Sequence, residues 1–339
     1  MELRVENVNE AFQEILWKFK VLDLETEETR NGPALVYPEM VTTIYKFPDE
    51  RVLFHPKRDA NPIFHLMEAI WMIAGRNDVE FVNQFNSNMK NFSDDGKVFN
   101  AAYGHRWRKH FGTDQLLDVI NLLKQDISTR QAVIQMWDAE DLVKDTCDKA
   151  CNTQLIFDTR NNKLNMTVFN RSNDVWWGAY GANAVHFSFL QEVIARAIDY
   201  PLGEYRQVSN NFHLYTELYD AISLLDNPPN EHSHNPYHNG EVSSTPIMDN
   251  NDYAGFILDC EQFCKDPFGL AKLETYKFNH SFFMSVARPM ALISYIRKNK
   301  DNDTKYYDGM LQAKSIKAPD WQRACVEWIT RRNMLNVPF

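Results

Sequence analysis

The chain has 339 residues, of which 44% are hydrophobic and 24% are charged, and its net charge is −10. This size and composition predict one large folded domain, or one domain with an appendage. The acidic balance argues against a nucleic-acid partner, because such a surface carries a basic stripe. No apolar run approaches the ~18 residues of a membrane span, the N-terminus is no signal peptide and five cysteines suggest no disulfide framework. We therefore expect a cytoplasmic protein that binds no membrane.

Periodic apolar patterns predict helices at 7–19, 61–74 and 116–123, a strand at 132–137 and a long buried helix at 186–198. The segment 226–252 is rich in Asn, Pro, Ser and His and is predicted to be a loop. Residues 286–339 are again predicted to be helical, with a charged break at 297–305. We expect an α+β protein with a main domain at 1–285 and a C-terminal helical extension at 286–339.

Two β-prone runs, 152–157 and 163–170, flank a polar Arg-Asn-Asn turn and predict an antiparallel hairpin. Cys151 precedes the first strand and Arg171 follows the second, so the hairpin would bring their side chains together. A cation beside a thiol favours the thiolate, which is the nucleophilic form. Taken alone, the pair is also compatible with a small buried cysteine and a surface arginine.

The order Cys151, then Arg171-Ser172-Asn173-Asp174 twenty residues later, then Gly178 resembles the thymidylate synthase family, which includes the phage deoxycytidylate hydroxymethylases. Further matches lie in order between residues 28 and 220: Glu68 in an apolar helix, Tyr103-Gly104-His105-Arg106-Trp107-Arg108, Ser128-Thr129-Arg130 with Trp137, and His213-Leu214-Tyr215. The resemblance implies a large twisted mixed or antiparallel sheet with flanking helices, one face of which forms a homodimer interface. It also implies a transferase with 5,10-methylenetetrahydrofolate as cofactor and a pyrimidine nucleoside monophosphate as substrate, with residues 1–285 as its catalytic domain.

In this family a cysteine thiolate adds to carbon 6 of the pyrimidine, which makes carbon 5 nucleophilic. The resemblance assigns that role to Cys151, with Arg171 as the neighbouring cation. It assigns the proton relay to Glu68, which Tyr103 joins. An acid inside Leu66-Met67-Glu68-Ala69-Ile70-Trp71 is costly to bury unless it is functional; the alternative is an acid on the wet side of the helix.

The resemblance also implies the binding residues. Arginine suits a phosphate because its planar fork forms two parallel hydrogen bonds. The expected phosphate ligands are Arg171, Ser172, Arg30 and, from the partner subunit, the residue matching Arg130; the family's second paired arginine is Gln131 here. His213 and Tyr215 match the pair that holds the sugar hydroxyl, and Asp174 matches the carboxylate that binds the pterin ring.

The base-reading position is shifted by one residue. The family places an Asn for uracil, or an Asp in the deoxycytidylate enzymes, eight residues after Asp174, where this chain has Ala182. A single insertion within 178–181 makes Asn183 the base-reading residue. An amide offers one donor and one acceptor side, so Asn183 is compatible with either base.

The interpretation favours 5-hydroxymethylation, with dCMP modestly preferred over dUMP. An Asn-rich surround of Cys151 and a C-terminal region, 282–339, unlike the family's ending both suggest a site that admits water. Thymidylate synthase proper and a dCMP methyltransferase stay open. Such variants suggest a virus that modifies its DNA precursors, acting in the host cytoplasm.

Two other classes stay open. A non-catalytic nucleotide-binding relative would keep Arg171 and His213 but would not need Cys151 together with Glu68. A papain-like thiol hydrolase would pair Cys151 with His186 or His213 and would leave the arginines unexplained. No metal site is expected, because the Cys-x-x-x-Cys spacing at Cys260 and Cys264 is not that of a zinc knuckle.

Overall fold

A mixed sheet of eight strands forms the centre of the protein, whose computed structural model describes residues 1–218, 235–270, 276–299 and 302–332. The strands are β1 (Glu2–Val5), β2 (Thr26–Thr29), β3 (Gly32–Val36), β4 (Val41–Tyr45), β5 (Val133–Gln135), β6 (Asn152–Asp158), β7 (Leu164–Asp174) and β8 (Leu202–Tyr215). Their order is β1-β4-β8-β7-β6-β5, and the β2–β3 hairpin joins the sheet through β3 and β8. The pairs β1–β4 and β7–β8 are parallel, whereas the other pairs are antiparallel.

Helices flank this sheet, and α6 packs against both β7 and β8. The α-helices are α1 (Val8–Val21), α2 (Pro62–Ile73), α3 (Val79–Asn83), α4 (Tyr103–His105), α5 (Gln115–Gln125), α6 (Asn183–Ala197), α7 (Tyr253–Lys265), α8 (Arg288–Asn299), α9 (Asn302–Ser315) and α10 (Pro319–Arg331). Wider π-helical turns span Arg106–His110, Val175–Ala182 and Phe283–Ala287, and 3₁₀ turns span Met89–Phe92, Ala139–Leu142, Arg160–Asn162 and Thr216–Leu218. The predicted α+β class with a mixed sheet and flanking helices is confirmed. None of the described helices combines the length and apolarity needed to cross a bilayer.

Local sequence explains where the central helix α2 begins. The Asn61 side chain accepts a hydrogen bond from the Phe64 amide, and Pro62 occupies the first helical turn, where its missing N–H leaves no bond unmade. Every residue of α2 except Glu68 is buried. The helix therefore belongs to the core, and Glu68 is its one residue that is only partly buried.

The predicted hairpin is confirmed as β6 and β7, which pair antiparallel across the turn at Arg160–Asn162. Asn161 and Asn162 have φ values of 59° and 54°, a left-handed conformation that asparagine tolerates better than most residues. The register brings the ends together, because the Arg171 amide donates to the Cys151 carbonyl at 2.9 Å. The sequence pattern had thus fixed which two side chains meet.

The C-terminal helices pack on the rest of the protein. Helices α8 and α10 both contact α2, and Trp321, Cys325 and Trp328 belong to the same apolar core as α2 and the sheet. The predicted charged break is shorter than expected, since α8 continues to Asn299 and α9 begins at Asn302. Helix α7 was not predicted, and part of the predicted loop, 226–234, lies outside the described residues. The division at residue 285 stays a prediction.

Asp320 gives this region a pH-dependent stability. Its side chain is 1% exposed and accepts a hydrogen bond from the Tyr237 hydroxyl at 2.9 Å. Burial raises its pKa from 3.8 to about 6, although the Trp321 amide, Tyr237 and Arg51 oppose the shift. The folded state therefore holds the proton more tightly than the unfolded state does. The charged form lowers stability above pH 6, and this cost disappears below pH 4.

We expect Asp320→Asn to raise the free energy of unfolding at pH 8 by about 2–3 kcal/mol, the equivalent of that pKa difference. An amide keeps an acceptor for Tyr237 but carries no charge. Denaturant melts of variant and wild type at pH 4 and pH 8 measure the effect. A variant that is destabilised equally at both pH values would contradict this account.

Candidate active site

Cys151 and Arg171 lie side by side at the open end of the β6–β7 hairpin. The Arg171 Nη2 donates to the Cys151 Sγ at 3.9 Å, while its Nε donates to the Ala150 carbonyl at 2.9 Å. The guanidinium also lies over the Trp137 ring, with 5.4 Å between the Arg171 Cζ and the ring centroid. The cation is therefore held against the thiol while the Arg171 side chain stays exposed to solvent.

The pKa of the Cys151 thiol is raised, whereas the neighbouring cation predicted a lowered pKa and an activated thiolate. Burial raises the pKa of Cys151 above its usual value of 9.0; Arg171 and Arg30 lower it, and Asp174 and Asp148 raise it further. The predicted cation is in place, but desolvation outweighs it. In the free protein Cys151 is therefore a thiol at neutral pH.

Two predicted residues approach the same thiol from other parts of the chain. The Tyr103 hydroxyl faces the backbone and the thiol of Cys151, and burial raises the pKa of this phenol well above 10.0. Arg30 sits in the turn between β2 and β3, next to Asn31, whose amide donates to the Tyr215 hydroxyl at 3.3 Å. This turn thus brings an exposed arginine to the ends of β7 and β8.

The parallel register of β7 and β8 brings Asp174 opposite His213. The His213 Nδ1 lies 2.7 Å from the Asn211 Oδ1, and its ring meets the Tyr215 ring edge-on at 5.2 Å. Burial lowers the pKa of His213 despite the attraction of Asp174, so the imidazole is neutral at neutral pH. His213 and Tyr215 share one face of β8, as their spacing predicted.

Asp174 caps the π-helical turn and lies next to the exposed Trp177. Its oxygens accept hydrogen bonds from the amides of Trp176, Trp177 and Gly178, which begin the π-helical turn. Trp177 is 51% exposed, and the buried Arg58 lies under it, 4.6 Å from the ring. Burial raises the pKa of Asp174 and lowers that of Arg58 to about 10. A flat aromatic surface and a carboxylate therefore adjoin each other at the edge of the site.

The π-helical turn at Val175–Ala182 accommodates the inserted residue inferred from the sequence. A π turn adds one residue to a helical turn, so it delivers Asn183 where an uninterrupted helix would have delivered Ala182. The Asn183 Nδ2 donates to the Asn173 Oδ1 at 3.1 Å, and the Asn173 Nδ2 donates to the Ser209 Oγ at 3.0 Å. A Cβ atom at Gly178 would lie 2.9 Å from that Asn173 oxygen. The glycine therefore leaves room for the amide pair.

Glu68 lies beside a histidine that the sequence interpretation used only for a thiol hydrolase. The Glu68 Oε2 is 3.2 Å from the His186 Nε2, and the two side chains are 14% and 4% exposed. The next residue, Phe187, stacks on the Tyr103 ring at 6.0 Å. The carboxylate is thus linked through α6 to the tyrosine that touches Cys151, and it does not lie on a wet side of α2.

The remaining predicted residues lie further out. Ser172 is half-buried on β7, opposite Asn211. Arg130 is exposed between α5 and β5 and forms no hydrogen bond or ion pair with the described residues. Arg130 is therefore not brought to Cys151 by its own chain.

Sequence reasoning missed Arg58 as a member of this site; it gave Asn173 no role beyond flanking the site, and it considered His186 only for a thiol hydrolase. Two signals pointed to His186: Asn183 and His186 are three residues apart on a helix and so share a face, and α2 presents a single carboxylate. Arg58 left no such signal, because it lies in a short loop before α2. For the described residues, no three His, Cys, Asp or Glu side chains converge as metal ligands.

The chain is similar in sequence to known proteins over most of its length. A family model described as thymidylate synthase matches residues 42–241. A protein of Pseudomonas phage M6 named deoxyuridylate hydroxymethyltransferase is 42% identical over 337 residues, which cover 97% of this chain and 94% of that protein. A protein of Bacillus phage SP01 with the same name is 40% identical over 189 residues, or 52% of this chain and about half, 49%, of that protein.

A solved structure agrees at the level of fold. The crystal structure of thymidylate synthase from T4 phage superimposes with a TM-score of 0.52 and 19% identity, covering 65% of this chain and 81% of that one. At this identity the match is evidence about fold alone.

Proposed function

The chain belongs to the thymidylate synthase family, and on that basis we propose that it converts deoxyuridine monophosphate (dUMP) into its 5-hydroxymethyl derivative. Membership makes it a transferase whose one-carbon donor is 5,10-methylenetetrahydrofolate. The phage M6 relative, matched over almost its full length, is named deoxyuridylate hydroxymethyltransferase. That name supports the hydroxymethyl product that the sequence interpretation favoured. It also favours uracil as the base, whereas the sequence interpretation had modestly preferred cytosine.

The observation that carries the proposal is the contact between Cys151 and Arg171 beside Tyr103. A pyrimidine is a poor nucleophile at carbon 5 until a covalent bond at carbon 6 breaks its conjugation, so the reaction needs a positioned thiolate. Arg171 stabilises the negative sulfur as the proton leaves. Because the free thiol has a raised pKa, we infer that Cys151 loses its proton only in the substrate complex.

The phosphate would lie between arginines at the end of the hairpin. Arg171 is held by the carbonyls of Ala150 and Lys149, so little side-chain entropy is lost when it binds an anion. Arg30 faces the same thiol, and Ser172 adds a hydroxyl. In a homodimer, the fourth ligand would be Arg130 of the partner subunit, which agrees with an exposed Arg130 that has no hydrogen-bond or ion-pair partner among the residues described in this chain.

The nucleoside would be read by two sets of side chains. His213 and Tyr215 share a face beside Arg30 and would bind the sugar hydroxyl. Asn183 would read the base, and its partner Asn173 restrains how the amide can turn. With its nitrogen toward carbon 4 and its oxygen toward nitrogen 3, the amide complements uracil.

The surroundings of Asp174 fit the folate cofactor. A pterin is a flat ring with N–H donors along one edge, and Trp177 offers an exposed indole next to a carboxylate that can accept further hydrogen bonds. When bound, the folate supplies the one-carbon unit. Asp174 and Trp177 would hold its ring, and Glu68 would serve the proton transfers at the pyrimidine.

Hydroxymethylation consumes one water and leaves tetrahydrofolate, whereas reductive methylation spends a hydride and leaves dihydrofolate. We therefore expect purified enzyme with dUMP to form 5-hydroxymethyl-dUMP and no dihydrofolate. Mass spectrometry identifies the nucleotide, and ultraviolet absorbance follows dihydrofolate. Release of tritium from [5-³H]dUMP, with [5-³H]dCMP as the control, reports which base is used. Thymidylate formed with equimolar dihydrofolate would contradict the product, and preferential release from dCMP would contradict the base.

A further inference from the structure

His186 is a buried imidazole next to the proton-relay carboxylate. It lies on α6, three residues after Asn183 and directly before Phe187, which stacks on Tyr103. Asn183, His186 and Phe187 therefore share one face of the helix. His186 faces Glu68 on α2, and His65, also on α2, is the other titratable neighbour, with its ring edge-on at 6.5 Å.

The His186 Nε2 is a buried polar atom that could bind a further group. It is 3.2 Å from the Glu68 Oε2, yet the ring is not directed at that oxygen, and this nitrogen forms no hydrogen bond within the described part of the chain. A buried polar atom without a partner is destabilising, and such atoms are usually satisfied by a water or a bound molecule. A nitrogen and a carboxylate oxygen thus stand together, and the nitrogen is free to bind a third group.

Water is the group that this pair fits. A small polar site with two or more partners holds an ordered water. The Glu68 carboxylate can accept a hydrogen bond from that water, and the imidazole can accept another or take a proton. A reaction that ends by hydride transfer would need no such site, whereas hydroxymethylation needs a water held at the methylene carbon attached to carbon 5.

We propose that His186 is a catalytic residue that, together with Glu68, binds and deprotonates the water that becomes the hydroxyl group of the product. This proposal rests on the proposed hydroxymethyltransferase function. Once carbon 5 has lost its proton and the bond between the one-carbon unit and the folate nitrogen has broken, with tetrahydrofolate as the leaving group, the nucleotide would carry an exocyclic methylene group and a carbon 6–sulfur bond. The water oxygen bonds to the methylene carbon, and its proton passes to His186 or Glu68. The electron pair moves into the ring, re-forms the 5,6 double bond and expels the Cys151 thiolate. No oxidant or reductant is consumed.

The step assigned to His186 comes after tritium release, which makes it separable from binding and folding. We expect His186→Phe to release about one tritium per site from [5-³H]dUMP in a burst at a near-normal rate. Product formation should then fall about 100-fold, the usual range for loss of a general base. An added thiol such as 2-mercaptoethanol should bypass the missing base and give a thioether product.

The matched control is His65→Phe, which removes the neighbouring buried imidazole; within the described part of the chain, His186 and not His65 is the histidine within ion-pair distance of Glu68. The His65→Phe variant should show no burst of tritium release. Its ratio of hydroxymethyl to thioether product should equal that of the wild type. If His186→Phe has a lowered melting temperature, His186→Gln serves instead, since an amide can hold the water but cannot take its proton. Equal loss of burst and turnover in both His186 variants, or unchanged turnover, would overturn the assignment. A wild-type enzyme that makes thymidylate and dihydrofolate would instead refute the proposed function.

Discussion

Cys151→Ser should lower turnover by ~10³-fold or more, because a serine hydroxyl ionises far less readily than a thiol and cannot add to carbon 6 at a useful rate. Tritium release from [5-³H]dUMP should fall equally, since covalent addition precedes it. The fold should be unaffected, because the change replaces one sulfur with oxygen in a partly exposed residue. Tritium release and thermal melts measure the two effects.

Cys147 provides the control for this substitution. It lies four residues earlier, is exposed and also has a raised thiol pKa, in its case through hydrogen bonding to Asp94. Cys147→Ser should therefore keep near wild-type turnover. If Cys151→Ser retained more than a few per cent of activity, the nucleophile would have to be another group.

The dimer proposal can be checked with the same inactive variant. If Arg130 of the partner subunit completes each phosphate site, mixing inactive Cys151→Ser with inactive Arg130→Ala should restore part of the activity. One of the two sites in each mixed dimer would then be intact. A monomeric mass by light scattering, or no recovery on mixing, would contradict the shared site.

Asn183→Asp should reverse the base preference, changing the ratio of kcat/KM for dUMP and dCMP by ~100-fold or more. The amide of Asn183 offers one donor and one acceptor, which suits the N3–H and O4 of uracil. A carboxylate offers only acceptors, so it leaves O4 without a donor and suits the amino group of cytosine. Tritium release from the two nucleotides labelled at carbon 5 gives the ratio.

Asn173→Asp is the matched control because it changes the neighbouring amide but keeps the oxygen that accepts from Asn183. Ser209, whose hydroxyl can donate as well as accept, can satisfy the new carboxylate. We expect this variant to keep the preference for dUMP. An unchanged ratio in Asn183→Asp would show that another residue reads the base, and the inserted residue at 178–181 would then need a different explanation.

Local pattern was sufficient for the hairpin, and it led to the assignment of Asn183, which stays a prediction. The strands of a hairpin are joined by a short turn, so alternation and turn residues alone fix which ends meet. The one-residue shift followed from counting between Asp174 and Asn183, and the π-helical turn is its physical form. Helix α7, which begins directly after the predicted loop at 226–252, was not predicted.

Properties that depend on burial and on distant contacts were decided only by the tertiary structure. The cation beside Cys151 was correctly placed. The pKa of the Cys151 thiol is nevertheless raised, because elements far apart in sequence bury it, and a local pattern does not contain that information. The pairing of Glu68 with His186 joins residues 118 apart and depends on the packing of α2 against α6. The sequence by itself therefore determined the family and the class of fold, and it proposed most of the candidate site residues. Packing between distant elements decided which of them touch, because burial and contact are properties of the folded chain as a whole.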